Sequence, residues 1–257
     1  MHELTLWLVA LPVLLAAAAL TWAVSVLKDN VTIVDTLWSL LFVLAAAAYA
    51  ASAAPPGPRA WLVLALVSVW GLRLAAYLAW RNRGHAEDRR YQAIRRRNEP
   101  NFALKSLWLI FGFQAVLAWV ISVPLVGAIA GEAPLGALDV LGVSLWAVGL
   151  FFEAVGDWQL ARFKRDPAND GRVMDRGLWR YTRHPNYFGD FCVWWGLYLV
   201  ALAAGAWWSI AGPLIMSFLL LRFSGVRLLE RDIGERRPAY AEYARRTNAF
   251  FPGPRRD

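Results

Sequence analysis

The sequence predicts an all-α protein, a polytopic membrane bundle of seven transmembrane helices with its N-terminus outside and its C-terminus cytoplasmic. Three observations lead there. Of the 257 residues 58% are hydrophobic and the mean hydropathy is +0.39, with the apolar residues gathered in blocks long enough to cross a bilayer. The basic residues fall between those blocks with one parity. The few ionisable residues inside the blocks cluster toward one end of the expected helices. Residues 1–257 are read as a single integral membrane domain.

The first span, 4–27, lacks a basic stretch before it and reads as retained rather than as a cleaved signal. Spans at 31–53 and 60–80 follow, parted by a turn at 54–59 rich in Pro and Gly. A fourth at 104–129 and a fifth at 136–160 flank a similar turn, 130–135, and the fifth contains only Asp139, Glu153 and Asp157 as acids. Spans 187–205 and 207–228 meet at Ala206 as a tight hairpin. Lys and Arg number eight in 81–105, seven in 161–186 and nine from Arg222 onward, which is 24 of 27. Only Lys28, Arg59 and Arg73 stand apart. With seven spans the three rich segments share a side, and the positive-inside rule makes it the cytoplasmic one.

Composition excludes other classes. One cysteine, Cys192, leaves no intramolecular disulfide, and three scattered histidines give no metal-ligand spacing. The net charge of +8 sits beside apolar blocks. It therefore points to membrane orientation and to anionic headgroups or an anionic cofactor, not to nucleic acid.

A charge within a span costs roughly 2.5–3.5 kcal/mol on insertion scales and marks a site by default. Asp35, Arg73, Glu153, Asp157, Asp190 and Arg222 are such residues. Five of the seven helices bring them to the cytoplasmic leaflet. Trp70, Arg73 and Tyr77 share a helical face, as do Glu153 with Asp157 and Asn186 with Asp190. Two readings stand: a tie of Asp35 or Asp157 to Arg73 that glues the bundle, and a polar chamber open to the cytoplasm. No GxGxxG or GxxxxGK[ST] is present, so side chains would have to hold any nucleotide. The segment 172–185 supplies Arg172, Arg176, Arg180 and Arg183 for phosphate; it also reads as a solvated basic loop.

RGLWRYTRHPNYFGDFCVWWG (176–196), AYAEYARRTNAFFP (239–252), VDTLWSLLF (34–42), WGLRLAAYLAWRNRG (70–84) and EDRRYQAIR (87–95) resemble strings of the steroid 5-alpha-reductase superfamily, above all of its bacterial members. The resemblance implies a multi-pass protein of a bacterial inner membrane, with 104–257 as the reductase-like part that carries most of the cofactor site. It implies NADPH-dependent reduction of a carbon–carbon double bond conjugated to a carbonyl, in a steroid-like or other lipid substrate. Its carbonyl-polarising glutamate carries over onto Asp35; its tyrosine falls on Trp70, and Tyr77 is the nearest substitute. For the cofactor it implies Arg73, Glu153, Asp157, Lys164, Arg172, Arg183, His184, Asn186 and Asp190, and less closely Arg83, Arg227, Arg231, Tyr240 and Tyr243. The Arg-His-Pro-Asn-Tyr-Phe-Gly core (183–189) also resembles isoprenylcysteine and phospholipid methyltransferases. That keeps an S-adenosylmethionine-dependent methyltransferase as the alternative. A non-catalytic component binding anionic lipid through its basic face is the third class.

Overall fold

The computed structural model describes residues 2–53, 55–223 and 239–256, and those residues are helical without strands. Their contacts form two compact units. The first is Met1–Gly136 with Val200–Ile210, and the second is Ala137–Leu199 with Ala211–Asp257.

The first unit holds α1 (His2–Leu27), α2 (Ile33–Ser52), α3 (Pro58–Asn82) and a short polar helix, α4 (Arg89–Asn98). It also holds α5 (Phe102–Ile121) and α6 (Val123–Ala130). Close approach pins α3 on α2 at Gly71, where a Cβ would come within 3.0 Å of the Ser39 carbonyl oxygen. The Ser39 hydroxyl donates to the Gly71 carbonyl at 2.9 Å. On α1, Trp7 stacks on Trp119 of α5 at 3.8 Å, and each indole N–H donates to the other's backbone oxygen. A π-helical stretch, Leu107–Gly112, interrupts α5. The chain then breaks at Ser122, where Pro124 restarts the helix. The Ser122 hydroxyl there meets the buried Tyr49 hydroxyl at 2.7 Å. Arg59, 2% exposed, is satisfied by the carbonyls of Ala133 and Pro134 at 2.7 and 2.9 Å.

The second unit holds α7 (Ala137–Arg165), the greater parts of α8 (Pro185–Ala203) and of α9 (Trp207–Arg222), and α10 (Ala239–Arg246). Small residues let α7 and α8 lie in backbone contact. A Cβ at Gly149 would stand 2.6 Å from the Val193 nitrogen, one at Gly189 2.6 Å from the Glu153 nitrogen, and one at Gly196 2.6 Å from the Gly142 oxygen. As position 149 pairs with 189, so 142 pairs with 196, which makes the two helices antiparallel. The seam has a seven-residue period on both.

Among the described residues five helices (α1, α2, α3, α5 and α7) are long and apolar enough to cross a membrane, against the seven spans expected. The sixth expected span overlaps α8, and the described part of the seventh overlaps α9. Pro185, Asn186 and Asp190 enter α8 early and its middle is aromatic, which lowers its hydropathy, and the described part of α9 is short.

The seam yields a test. Gly149→Ala and Gly189→Ala should each destabilise the detergent-solubilised protein by about 1–3 kcal/mol, as overpacking does. Gly136→Ala, where a Cβ meets nothing within 4 Å, should change its melting temperature little. Equal effects at all three positions would show that the seam is not tight.

Candidate functional site

In the first unit the site grows from Asp35, in the first turn of α2. The Tyr91 hydroxyl of α4 donates to its Oδ1 at 2.6 Å, and the Arg90 guanidinium reaches Oδ2 at 3.1 Å. Tyr91 is buried, 7% exposed. Burial pushes its phenol above the ordinary tyrosine range, and the Asp35 charge pushes the same way. It therefore stays a hydrogen-bond donor throughout the physiological range.

The helix that brings Tyr91 there is held by its own first residues. Asp88 caps α4 by accepting from the Arg90 N–H at 2.8 Å, and its own N–H donates to the Thr32 hydroxyl at 2.9 Å. Glu87 accepts from the Val31 N–H at 3.0 Å and from two nitrogens of Arg95, both at 2.9 Å. Arg95 also pairs with Asp29. Burial works against the ionised form of Glu87, but the Arg95 and Val31 bonds outweigh it and hold the carboxyl below its usual range.

Other expected residues of this unit are placed differently. Tyr77 packs against Trp80 at 5.9 Å, with Arg81 5.8 Å from its ring. Trp70 is wholly buried against Phe42. Arg73 lies half-buried on the same helix, and Arg83 is exposed at its C-terminal cap. The tie between α2 and an arginine exists, and the partner of Asp35 is Arg90 rather than the expected Arg73.

In the second unit Glu153 and Asp157 are both buried on α7, and the Asn186 amide faces Asp157 Oδ1 at 3.4 Å. The glycine seam makes this possible, since Gly156 leaves room for Pro185 and Asn186. His184 is buried and stacks on Tyr187, and Asp190 lies one turn beyond Asn186. Lys164 and Arg172 are exposed. Arg183 does structural work: its Nη1 donates to the carbonyls of Ala244 and Thr247 at 2.9 and 2.7 Å, while its backbone N–H takes Asn248. Tyr240 packs on Tyr243, whose hydroxyl donates to the Trp179 carbonyl at 2.5 Å. Arg227 and Arg231 lie outside the described residues.

Asp157 and Asn186 thus bring an acceptor and an amide together where α7 meets α8, with Glu153 one turn earlier on α7. No group of three or more His, Cys, Asp or Glu side chains among the described residues is placed to hold a metal. The sequence reading missed Tyr91 and Arg90. Its one signal was the string 87–95, in which an acidic cap precedes a short amphipathic helix.

A family model described as "Protein of unknown function (DUF1295)" matches residues 21–247. An uncharacterized protein of Schizosaccharomyces pombe is 28% identical over 261 residues, covering 90% of this chain and 75% of that protein. A probable O-methyltransferase of Ustilaginoidea virens is 35% identical over 112 residues, 43% of this chain and 34% of that protein. The chain thus spans about a third of the latter's length. No solved structure matches significantly.

The Glu87 anchor predicts a pH dependence. Because its carboxyl is held low in the fold, its stabilisation is complete above the unfolded value of 4.5 and is lost as pH falls through the folded one. Hydrogen exchange of α4 amides, corrected for intrinsic rate, should accelerate as pH drops below that value. Glu87→Gln should bring the acceleration already at neutral pH, about fivefold, or roughly 1 kcal/mol. An α4 equally protected in wild type and Glu87→Gln would show that the anchor is not what holds it.

Proposed function

Since the chain belongs to the DUF1295 family, within the steroid 5-alpha-reductase-like superfamily, we propose that it is an NADPH-dependent reductase of a carbon–carbon double bond conjugated to a carbonyl. The substrate is a steroid-like or other lipid, met within a bacterial inner membrane. The observation that supports this most is the buried phenol of Tyr91 held on Asp35, 2.6 Å away.

NADPH, when bound, supplies the hydride. The chain's own residues do the rest. As hydride reaches the β-carbon, negative charge develops on the carbonyl oxygen, and a preorganised donor there is worth about 10²–10³ in rate. Tyr91 is that donor: its single hydroxyl proton, which the Asp35 carboxylate accepts in the free protein, turns to the substrate oxygen when the carbonyl enters, while Arg90 balances the carboxylate charge left behind. A proton taken up at the α-carbon completes the saturation of the double bond. Tyr77 is the second candidate for the donor. Asp157, Asn186 and Glu153 would hold the ribose and carboxamide, and Lys164 and Arg172 the phosphates, with Asp190 and His184 beside them. Arg73, Arg83, Tyr240 and Tyr243 belong to the same proposal with less support. The Ustilaginoidea virens relative favours a second reading, methyl transfer from S-adenosylmethionine to an oxygen. In it Asp35 would orient the accepting hydroxyl.

Thermal unfolding of the purified protein separates the two, because only a bound ligand stabilises by mass action. NADPH should raise the melting temperature more than NADH does, and S-adenosylmethionine should not raise it. Tyr91→Phe should keep the NADPH response while lowering turnover of an enone lipid by at least about tenfold, or 1.4 kcal/mol. Full activity in Tyr91→Phe with a loss in Tyr77→Phe would move the acid to α3. Stabilisation by the methyl donor alone would replace the reductase reading.

The same proposal includes seven spans with an external N-terminus, supported by the 24 of 27 basic residues of one parity. A reporter active only in the cytoplasm should work when fused after Asp257 and fail when fused before Met1. The reverse pattern would invert the topology.

A further inference from the structure

On α7 two stripes of different character run side by side. Glu153, Asp157 and Lys164 fall on one face, and Leu141, Val148, Phe151 and Trp158 on another, roughly 120° or more away at 100° per residue. The second stripe is exposed, Trp158 by 58%, and on a helix long and apolar enough to cross a membrane an exposed apolar stripe faces lipid. The stripe does not end with the apolar residues. It continues directly into Arg162 and Arg165, which are exposed at the helix end. An indole followed one and two turns later by guanidinium groups is the sequence of chemistries found on passing from acyl chains to headgroups.

At that level the chain folds back and lines an open pocket of about 560 Å³ in which Arg176 joins Trp158, Arg162, Phe163 and Arg165. Its walls are fixed. The Gln159 side-chain oxygen accepts from the Leu178 N–H at 2.9 Å, and the Asn169 amide donates to the Phe163 carbonyl at 3.0 Å. The acid that lines it, Asp166, accepts from the Ala168 N–H at 2.9 Å. Arg162 lies over the Trp158 ring at 5.6 Å, and among the described residues neither Arg162 nor Arg176 meets a carboxylate. Two guanidinium groups that meet no carboxylate, Arg162 and Arg176, thus line the pocket beside a single acid, in a recess of a size that holds small molecules.

We infer that this pocket binds the phosphate of an anionic membrane phospholipid, whose acyl chains lie along the part of the stripe from Val148 to Trp158, about 15 Å of helix or one leaflet. The ligand chemistry is a phosphate ester, which a free phosphate shares. The apolar stripe leading into the pocket is what assigns it to a lipid. The site is separate from the face that carries Glu153 and Asp157, and it does not rest on the reductase reading.

Native mass spectrometry of the delipidated full chain, titrated with phosphatidylglycerol or phosphatidylcholine of matched chains, tests it. The wild type should retain phosphatidylglycerol at least about fivefold better, since each basic residue near an anionic headgroup contributes on the order of 1 kcal/mol. The combined Arg162→Ala, Arg165→Ala and Arg176→Ala variant should lose that preference, and so in part should Arg162→Gln alone, a neutral change at an exposed position. Trp158→Leu should weaken phosphatidylglycerol with all charges intact. Arg96→Ala with Arg97→Ala, a basic pair exposed on α4, should leave the preference unchanged. Equal retention of the two lipids by the wild type, or an unaltered preference in both arginine variants, would overturn the assignment. Displacement of phosphatidylglycerol by millimolar inorganic phosphate would reassign the pocket to a soluble phosphate.

Discussion

A polar atom inside an apolar helix has to find its partner within the protein, and this constraint arranges most of what distinguishes the chain. In water an unpaired carboxylate or indole N–H is hydrated; between lipid tails it costs several kcal/mol. Trp7 and Trp119 meet it by exchanging N–H bonds to each other's backbone. Arg59 meets it with two loop carbonyls, and Tyr49 with the hydroxyl of Ser122 at a helix break. Asp35 meets it by drawing a whole short helix against the start of α2, so that a phenol and a guanidinium cover its two oxygens. The first three solutions leave nothing over for chemistry. The last leaves a charged acceptor and a protonated donor side by side, which is why it is the candidate site of its unit.

Backbone contact at glycine is the second half of the same arrangement. Without Gly142, Gly149 and Gly156 on one helix and Gly189 and Gly196 on the other, α7 and α8 could not approach to backbone distance. Asn186 would then stand away from Asp157. The buried acids of the second unit are therefore a consequence of close packing as much as of composition.

Hydrophobic blocks pointed to seven spans, and five of them are helices long and apolar enough to cross a membrane, because block length and helix length follow the same 1.5 Å rise. Asp35 and Asp157 were readable as candidate site residues because a charge stands out against an apolar run. The partners of Asp35 were not. Arg90 and Tyr91 sit in a segment whose eight basic residues read as a juxtamembrane loop, and only the caps formed by Glu87 and Asp88 turn that loop back onto α2. Arg73, on the expected face of α3, was the nearer guess along the sequence, but which arginine reaches a carboxylate depends on how neighbouring elements are set. Arg183 shows the converse. Its place among the basic residues of 172–185 suggested phosphate, yet its Nη1 is engaged by two carbonyls at the end of α10.

Arginine is where composition says least and geometry most. The same residue type orients spans, clamps backbone carbonyls, balances buried carboxylates and meets phosphate, and a count of 27 basic residues merges all four. Helical angle separates them. On α7 Lys164 falls with Glu153 and Asp157, while Arg162 and Arg165 fall with the lipid-facing tryptophan, although all five lie within thirteen residues. A guanidinium on the inward face would have to neutralise or recognise something held inside the protein. One on the outward face, at the depth of an exposed indole, meets the bilayer's own anions. The positive charge that fixes topology and the positive charge that would bind a lipid can thus be the same residues, whereas that of a nucleotide site must lie elsewhere on the helix.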